Sequence, residues 1–186
     1  MTVADASEPA RPAVFLDRDG TLIDDAGYLA DPGGVRLLPD VARALRDLER
    51  AGFARIVITN QSGIGRGRYS VEAFAATEAE LDRRLRADGA SLDAVYYCPH
   101  TPEAGCLCRK PGTALFREAI AAHQIDVAGS WCVGDRVRDV APAAELGCHG
   151  LLIAAAGSPE IDAARALGAE VAPDLAAGTA LILRYL

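Results

Sequence analysis

Val14-Phe15-Leu16-Asp17-Arg18-Asp19-Gly20-Thr21 is the stretch of this sequence that decides its fold. Its β-branched and aromatic residues predict a strand, and Gly20 predicts a turn directly after it. Asp17 and Asp19 then lie at the carboxyl end of a strand, where α/β sheets bind their ligands. Two neighbouring carboxylates repel each other unless a cation lies between them. The stretch therefore indicates a Mg²⁺ site that also takes a phosphate, with a plain Asp-rich turn as the alternative.

Strand-like and helix-like segments alternate along the 186 residues. The predicted strands are 13–17, 54–59, 92–97, 130–133 and 150–153, with 170–172 as an added edge strand. The predicted helices are 40–51, 70–87, 113–123, 137–146 and 175–186. This alternation predicts one α/β domain over residues 1–186, with a doubly wound parallel sheet and helices on both faces. Residues 1–12 are expected to form a loose N-terminal segment.

The composition excludes several classes of function. A formal net charge of −7 argues against a general nucleic-acid binder, which would carry a broad basic face. No apolar run approaches the roughly 20 residues that cross a bilayer, and the N-terminus lacks the pattern of a signal peptide. We therefore expect a cytoplasmic protein that binds neither nucleic acid nor a membrane. Because no apolar surface stripe is left over, we also expect a monomer.

Four segments carry the candidate chemistry, and each lies near the end of a predicted strand: Asp17–Thr21, Thr59–Gln61, Arg109–Pro111 and Gly134–Arg136. In a doubly wound sheet such ends converge on one crevice. Together they supply carboxylates, a hydroxyl, an ammonium and guanidinium groups, the set needed for phosphoryl transfer from a monoester. Taken alone, a threonine in the second segment is also a common strand residue, and a lysine in the third a common surface residue.

The order of these segments resembles the haloacid dehalogenase superfamily of Mg²⁺-dependent phosphatases over most of the chain. The resemblance implies a Rossmann-like fold in which Asp17 is the nucleophile that forms an aspartyl-phosphate. It implies that Asp19 is the general acid and then the general base, and that Thr59 and Lys110 bind the transferring phosphoryl group. It also implies a Mg²⁺ site made by Asp17, the backbone carbonyl of Asp19, and Asp135.

Two further features accompany this resemblance. No long insertion separates Asp19, Thr59 and Lys110, which implies that the domain carries no large cap. Many relatives have a second acidic residue near Asp135, and Asp139 stands at that place. Two interpretations of Asp139 stay open, one in which it orients the lysine or a metal-bound water and one in which it is a charge on a helix surface.

An insertion at 98–108 carries three cysteines and a histidine with the spacing of a tetrahedral structural zinc site: Cys98, His100, Cys106 and Cys108. Four protein ligands leave no open position, so a catalytic zinc is not expected. An odd total of five cysteines argues against a disulfide framework. The zinc loop would fix the following Arg109 and Lys110 over the site.

Within the superfamily this loop resembles two groups of phosphatases, one for heptose bisphosphates and one for histidinol phosphate. The loop's short spacer suits the second group, so the loop does not decide between them. The segments Asp25–Tyr28 and Thr59–Gly67 resemble the heptose enzymes, which implies removal of the 7-phosphate of D-glycero-D-manno-heptose 1,7-bisphosphate. The substrate-binding residues implied are Asp25, Gly27, Tyr28, Asn60, Gln61, Ser62, Arg66, Arg109 and Arg136.

Other functions stay open. A bisphosphate needs a second cationic contact, and the arginines near the site favour such a substrate over histidinol phosphate. An open site also admits the 3′-phosphate end of a nucleic acid, although the acidic composition argues against it. Outside enzymology, the chain is compatible with a non-catalytic module that binds a phosphometabolite.

Overall fold

The computed structural model describes residues 10–186 and places six strands in one sheet. The strands are β1 Arg11–Leu16, β2 Ala54–Asn60, β3 Ala94–Cys98, β4 Ile125–Gly134, β5 His149–Ile153 and β6 Glu170–Ala172. They are parallel throughout and lie in the order β3-β2-β1-β4-β5-β6. The predicted doubly wound α/β fold is therefore confirmed.

The helices are α1 Val41–Arg50, α2 Ser62–Gly65, α3 Val71–Ala87, α4 Ala114–His123, α5 Val137–Val140, α6 Pro142–Leu146, α7 Glu160–Ala166 and α8 Leu175–Ile182. Short 3₁₀ turns cover Pro32–Gly34, Pro102–Ala104 and Leu183–Tyr185. Ser70 caps α3 as its position suggests, since its hydroxyl accepts a hydrogen bond from the backbone of Ala73. Within residues 10–186 no inserted domain forms a cap over the sheet.

Alternating residues of β1 supply the two cores. Leu16 packs with Leu45 of α1 in the cluster that α1, α3 and α8 form on one face of the sheet. Phe15 points to the other face and meets Phe116 of α4 edge-on, with ring centroids 5.4 Å apart. Because the strand is buried on both faces, it forms the continuous apolar run that is typical of a central parallel strand.

The strand order locates the ligand crevice. From β1 the chain moves outward through β2 and β3, and it then returns to the other side through β4, β5 and β6. In such sheets ligands bind where the order reverses, at the carboxyl ends of the two strands involved. Here these are β1 and β4, and their ends lead into Asp17 and Asp135.

Some boundaries differ from the sequence prediction. The predicted helix 137–146 is divided into α5 and α6, because Pro142 has no N–H with which to continue a helical ladder. Strand β4 begins at Ile125 rather than at 130, and its register against β1 shifts between Pro12 and Val14. The hydroxyl of Ser130 bridges this irregularity by accepting a hydrogen bond from the backbone of Ala13 at 2.9 Å.

The ends of the chain differ as well. Residues 11 and 12 belong to β1 instead of a loose segment, and residues 1–9 of that predicted segment lie outside the described part of the chain. The predicted last helix stops at Ile182 and continues as a 3₁₀ turn. Helix α7 has no counterpart in the prediction. Across residues 10–186 we find no helix with the length and apolar character to cross a bilayer.

Candidate active site

The turn after β1 is held against the end of β4. The backbone N–H of Asp17 donates to the carbonyl of Val133 at 2.8 Å. Gly20 has φ +84°, and a Cβ at this position would lie 2.7 Å from Oδ2 of Asp135. Only glycine allows both the left-handed backbone and this close approach. The turn thereby brings carboxylates from two different strands together.

Lys110 is the central cation of the site and is almost fully buried. Its ammonium lies 2.7 Å from Oδ1 of Asp17 and 2.9 Å from Oδ1 of Asp139, and it also donates to the backbone carbonyl of Ile58. Burial alone would lower the pKa of Lys110, but the two carboxylates outweigh it and the pKa is raised. The lysine is therefore charged, and Asp139 is its buried partner rather than a charge on a helix surface.

Asn60 at the end of β2 fixes the backbone of this lysine. Its Oδ1 accepts from the N–H of Lys110 at 3.0 Å, and its Nδ2 donates to the Lys110 carbonyl at 3.2 Å. The loop that carries the lysine is therefore joined to the sheet by two hydrogen bonds with the Asn60 amide. The Lys110–Pro111 peptide bond is cis.

Three carboxylates form what we call the acidic cluster: Asp17, Asp135 and Asp139. One oxygen of each lies within 4.8 Å of the others. Burial, together with the two neighbouring carboxylates, raises the pKa of Asp135 to about 6. Its Oδ1 is buried and has no hydrogen-bond partner within residues 10–186. Hard oxygen donors, mutual repulsion and an unpartnered oxygen all fit a divalent cation such as Mg²⁺.

Asp19 lies beside this cluster, in a hydrogen-bond network of its own. Burial raises its pKa, although the adjacent Arg18 guanidinium opposes that shift. Gln61 donates from Nε2 both to Oδ2 of Asp19 at 2.9 Å and to Oγ1 of Thr59 at 2.8 Å. The structure thus brings the predicted general acid and the predicted phosphate-binding hydroxyl together through one buried amide.

A cleft of about 400 Å³ opens over these residues. It is lined by Asp17, Asp19, Asp25, Gly27, Tyr28, Thr59, Asn60, Ser62, Arg109 and Arg138. Most of the residues predicted to bind substrate are among them. Arg138, which the sequence analysis did not select for this role, supplies the second guanidinium of the cleft.

Three residues predicted to bind substrate lie outside this lining. Gln61 is buried beneath the cleft. Arg66 pairs with Glu103 at 3.4 Å, and Arg136 lies 3.0 Å from Oδ2 of Asp135. The sequence pattern does not separate Arg136 from Arg138, because both follow the same strand. Arg136 precedes α5 and Arg138 lies within it, and only the backbone geometry there decides which one faces the cleft.

The four predicted zinc ligands form a second cluster, the thiol cluster of Cys98, His100, Cys106 and Cys108. Cys98 lies 3.1 Å from Cys108 and 3.6 Å from Cys106, and Nδ1 of His100 lies 3.2 Å from the sulfur of Cys108. A zinc ion bound at ordinary lengths would put its ligands roughly 3.4–3.8 Å apart. The Cys98–Cys106 distance lies in this range and the two contacts of Cys108 are slightly shorter, so the donor set fits a tetrahedral zinc once Cys108 moves outward by a few tenths of an ångström.

Known proteins resemble this chain in sequence and in fold. A family model described as HAD-hydrolase-like matches residues 107–178. D-glycero-beta-D-manno-heptose-1,7-bisphosphate 7-phosphatase of Vibrio cholerae serotype O1 is 35% identical over 169 residues, which cover 87% of this chain and 91% of that protein. The protein of the same name from Escherichia coli O6:H1 is 37% identical over 155 residues, covering 80% and 82%.

A solved structure shows the same fold. The D,D-heptose 1,7-bisphosphate phosphatase from B. bronchiseptica, complexed with magnesium and phosphate, superposes with a TM-score of 0.82. It is 31% identical, and the match covers 95% of this chain and 99% of that one.

The fold and the acidic crevice define a phosphoric monoester hydrolase, the enzyme class that the sequence predicted. The chain belongs to the family of haloacid dehalogenase-like hydrolases, among relatives that are heptose bisphosphate phosphatases.

Proposed function

We propose that this enzyme removes the 7-phosphate of D-glycero-D-manno-heptose 1,7-bisphosphate, in the synthesis of a nucleotide-activated heptose. The observation that carries the proposal is the arrangement of charge in the cleft. Asp17 and Asp19 line the cleft, and Arg109 and Arg138 supply cations on the same lining. A bisphosphorylated sugar presents a second dianion that guanidinium groups bind well. The named function of the relatives supports the same substrate.

The side chains of the crevice suit a two-step displacement. Oδ of Asp17 attacks phosphorus, the bond to the sugar oxygen breaks, and Asp19 gives its proton to that oxygen. Water then attacks the phosphorus of the aspartyl-phosphate while Asp19 takes a proton from the water. The bond between phosphorus and the Asp17 oxygen breaks, which releases inorganic phosphate and restores the Asp17 carboxylate. Lys110 and Thr59 bind the phosphoryl oxygens and stabilise the charge that moves onto them.

Asp17, Asp135 and the backbone carbonyl of Asp19 would hold Mg²⁺. When bound, the ion supplies positive charge that offsets the repulsion between the nucleophile and the phosphate. Asp139 keeps the ammonium of Lys110 beside Asp17, so the lysine is in place before substrate arrives.

The thiol cluster would hold a structural zinc. Cys108 directly precedes Arg109 and Lys110, so a metal at the cluster fixes the segment that carries both cations. Structural zinc contributes on the order of 10–16 kcal/mol of apparent binding energy in small peptides, enough to order a loop with few core contacts. Free thiols that are available for zinc fit the reducing cytoplasm, where we place the enzyme as a monomer without nucleic-acid partners.

Histidinol phosphate is the second candidate substrate. Asp25 and Tyr28 line the same cleft and offer an acidic and an aromatic contact, which would suit an amine and an imidazole. The two arginines favour the bisphosphate instead.

Phosphate release from both candidates decides between them. The purified protein is assayed with Mg²⁺ on both anomers of heptose 1,7-bisphosphate and on histidinol phosphate, with Asp17→Asn as the inactive control. We expect kcat/KM for one heptose anomer to exceed that for histidinol phosphate by about 100-fold, or roughly 2.7 kcal/mol. A preference for histidinol phosphate would overturn the proposed substrate, and release from none of the three would overturn both candidate substrates.

A further inference from the structure

Arg18, between the two carboxylates of the first turn, is a buried cation without a place in the steps above. It is 1% exposed and does not line the cleft. Burial of a guanidinium costs little free energy only where hydrogen-bond acceptors in the protein replace the water around its N–H groups. Its Nη1 donates to Oε1 of Glu78 on α3 at 2.6 Å, and its carbon lies 5.2 Å from the centre of the Phe74 ring.

The other two nitrogens of the guanidinium both donate to Asp19, and Nη2 also donates to Oε1 of Gln61 at 3.3 Å. Nε donates to Oδ2 at 3.1 Å and Nη2 donates to Oδ1 at 2.9 Å. Gln61 adds a third hydrogen bond to Oδ2, and the hydroxyl of Tyr69 donates to Oε1 of that glutamine. The plane of the Asp19 carboxylate is therefore fixed by contacts at both of its oxygens.

The two oxygens of Asp19 differ in the number of lone pairs that no hydrogen bond occupies. Oδ2 accepts from Arg18 and from Gln61, whereas Oδ1 has Arg18 as its single donor among residues 10–186. Each carboxylate oxygen has two lone pairs. Oδ1 thus keeps a lone pair for a proton that can be transferred, and Asp19 itself lines the cleft.

We propose that Arg18 and Glu78 form a positioning pair that directs Oδ1 of Asp19 toward the leaving oxygen of the substrate. The inference rests on the proposed function, because it assigns the geometry of the same acid. The planar fork of Arg18 fixes a carboxylate plane, which the single ammonium of a lysine cannot do. Glu78 balances the buried charge and joins the fork to the 17-residue helix α3. Neither residue is among those that line the cleft.

The step that the pair supports is proton transfer to a poor leaving group. The sugar alkoxide needs a proton as its bond to phosphorus breaks, whereas p-nitrophenolate departs without one. Since kcat/KM reports the first irreversible step, it depends on the acid for the sugar phosphate and hardly at all for p-nitrophenyl phosphate.

The test is kcat/KM of the full-length protein, loaded with Mg²⁺ and zinc, on heptose 1,7-bisphosphate and on p-nitrophenyl phosphate. General acid catalysis is typically worth 10²–10⁴-fold, so we expect Arg18→Lys to lower the value for the sugar phosphate by about 30-fold or more. For p-nitrophenyl phosphate we expect a loss below about threefold. Glu78→Gln should show the same selective loss, and it serves as the second variant if Arg18→Lys does not fold.

The controls come from the same helix. Arg84→Lys and Glu80→Gln change a surface pair that is 2.7 Å apart on α3, and both should leave both rates near those of the wild type. In an Asp19→Asn background, Arg18→Lys should have no further effect on the sugar phosphate, because the group it positions is absent.

Three results would overturn the positioning pair: equal losses on both substrates, no loss on either, or a full further loss in the Asp19→Asn background. If the wild-type protein hydrolyses p-nitrophenyl phosphate but not the heptose, the proposed substrate fails. The losses in the variants are then compared between p-nitrophenyl phosphate and the sugar phosphate that the wild-type protein hydrolyses fastest. A wild-type protein inactive on every phosphate ester would overturn both proposals.

Discussion

The acidic cluster and the thiol cluster are assembled in opposite ways. The three carboxylates come from the ends of two strands and from α5, and more than a hundred residues separate Asp17 from Asp135 and Asp139. The four residues of the thiol cluster come from eleven consecutive residues in one loop. The sheet therefore brings the acidic cluster together from distant parts of the chain, whereas the thiol cluster is local. We propose that the chemistry depends on the first cluster, and that a metal at the second orders the loop that carries Lys110.

Asp17→Asn should have the largest effect on activity. Removal of the nucleophile is expected to lower kcat by about 10³-fold or more. Because the change also removes one of three repelling carboxylates, Tm of the metal-free variant should equal or exceed that of the wild type. A variant that retains more than about a tenth of the wild-type kcat would contradict the role of Asp17.

Lys110→Met tests the buried cation that pairs with the acidic cluster and follows the thiol cluster in the chain. Two carboxylates lose their shared partner, and leaving buried charges unpaired typically costs about 3–5 kcal/mol. We expect chemical denaturation to show a loss of this size, with a fall in kcat of about 100-fold. Asp139→Asn is the matched change, since it removes one partner of the lysine and keeps the other. Unchanged stability in both variants would show that the ion pairs do not form.

Removal of zinc should have an intermediate effect. Cys106→Ser is expected to lower the zinc content measured by elemental analysis and to reduce kcat by about 10-fold or more, because the loop no longer holds Lys110. The Tm should fall as well. Cys148→Ser, a thiol outside the loop, is the control and should keep both the zinc and the rate. If Cys106→Ser kept full activity without zinc, the two clusters would be independent.

The pH dependence of stability without metal should show the repulsion in the acidic cluster. A carboxyl whose folded pKa is raised to about 6 lowers the stability as pH rises through that value, since the unfolded chain ionises it more readily. The metal-free wild type should therefore have a lower Tm at pH 7 than at pH 5. Mg²⁺ should recover part of the loss at pH 7. In Asp135→Asn the difference in Tm between pH 5 and pH 7 should shrink. An unchanged difference in Tm would show that other groups cause it.

Arg138→Gln should have the smallest effect. It removes one of the two guanidinium groups of the cleft, so KM for the bisphosphate should rise by about 5–10-fold with kcat nearly unchanged. Arg136→Gln is the matched variant, and its position beside Asp135 predicts a smaller change in KM. A larger effect of Arg136 would show that its side chain turns into the cleft when substrate binds.

Sequence patterns predicted the local features of this molecule best. The apolar run of β1, the cap of α3 and the close spacing of the zinc ligands each depend on neighbouring residues, which a sequence displays directly. The meeting of the strand ends at one crevice then followed from the parallel sheet. Helix α7 was missed because its charged and small residues give no clear apolar stripe, and the division between α5 and α6 depends on one proline.

The missed site residues depend on tertiary contacts. The role of Arg18 needs Glu78, which is 60 positions away on another element, so nothing in the local pattern reveals it. The one signal was an arginine placed between two carboxylates, next to a buried strand. Arg136 directly precedes the short helix α5 and Arg138 lies within it, so only the local backbone geometry decides which guanidinium enters the cleft.

The most direct test of the proposed function is the ³¹P NMR spectrum of heptose 1,7-bisphosphate during turnover by the zinc-loaded protein. We expect the 7-phosphate signal to disappear while the 1-phosphate signal remains. We also expect hydrolysis to stop when Mg²⁺ is withdrawn at unchanged zinc content. Loss of the 1-phosphate signal, or hydrolysis that follows zinc rather than Mg²⁺, would contradict the division of labour between the two clusters.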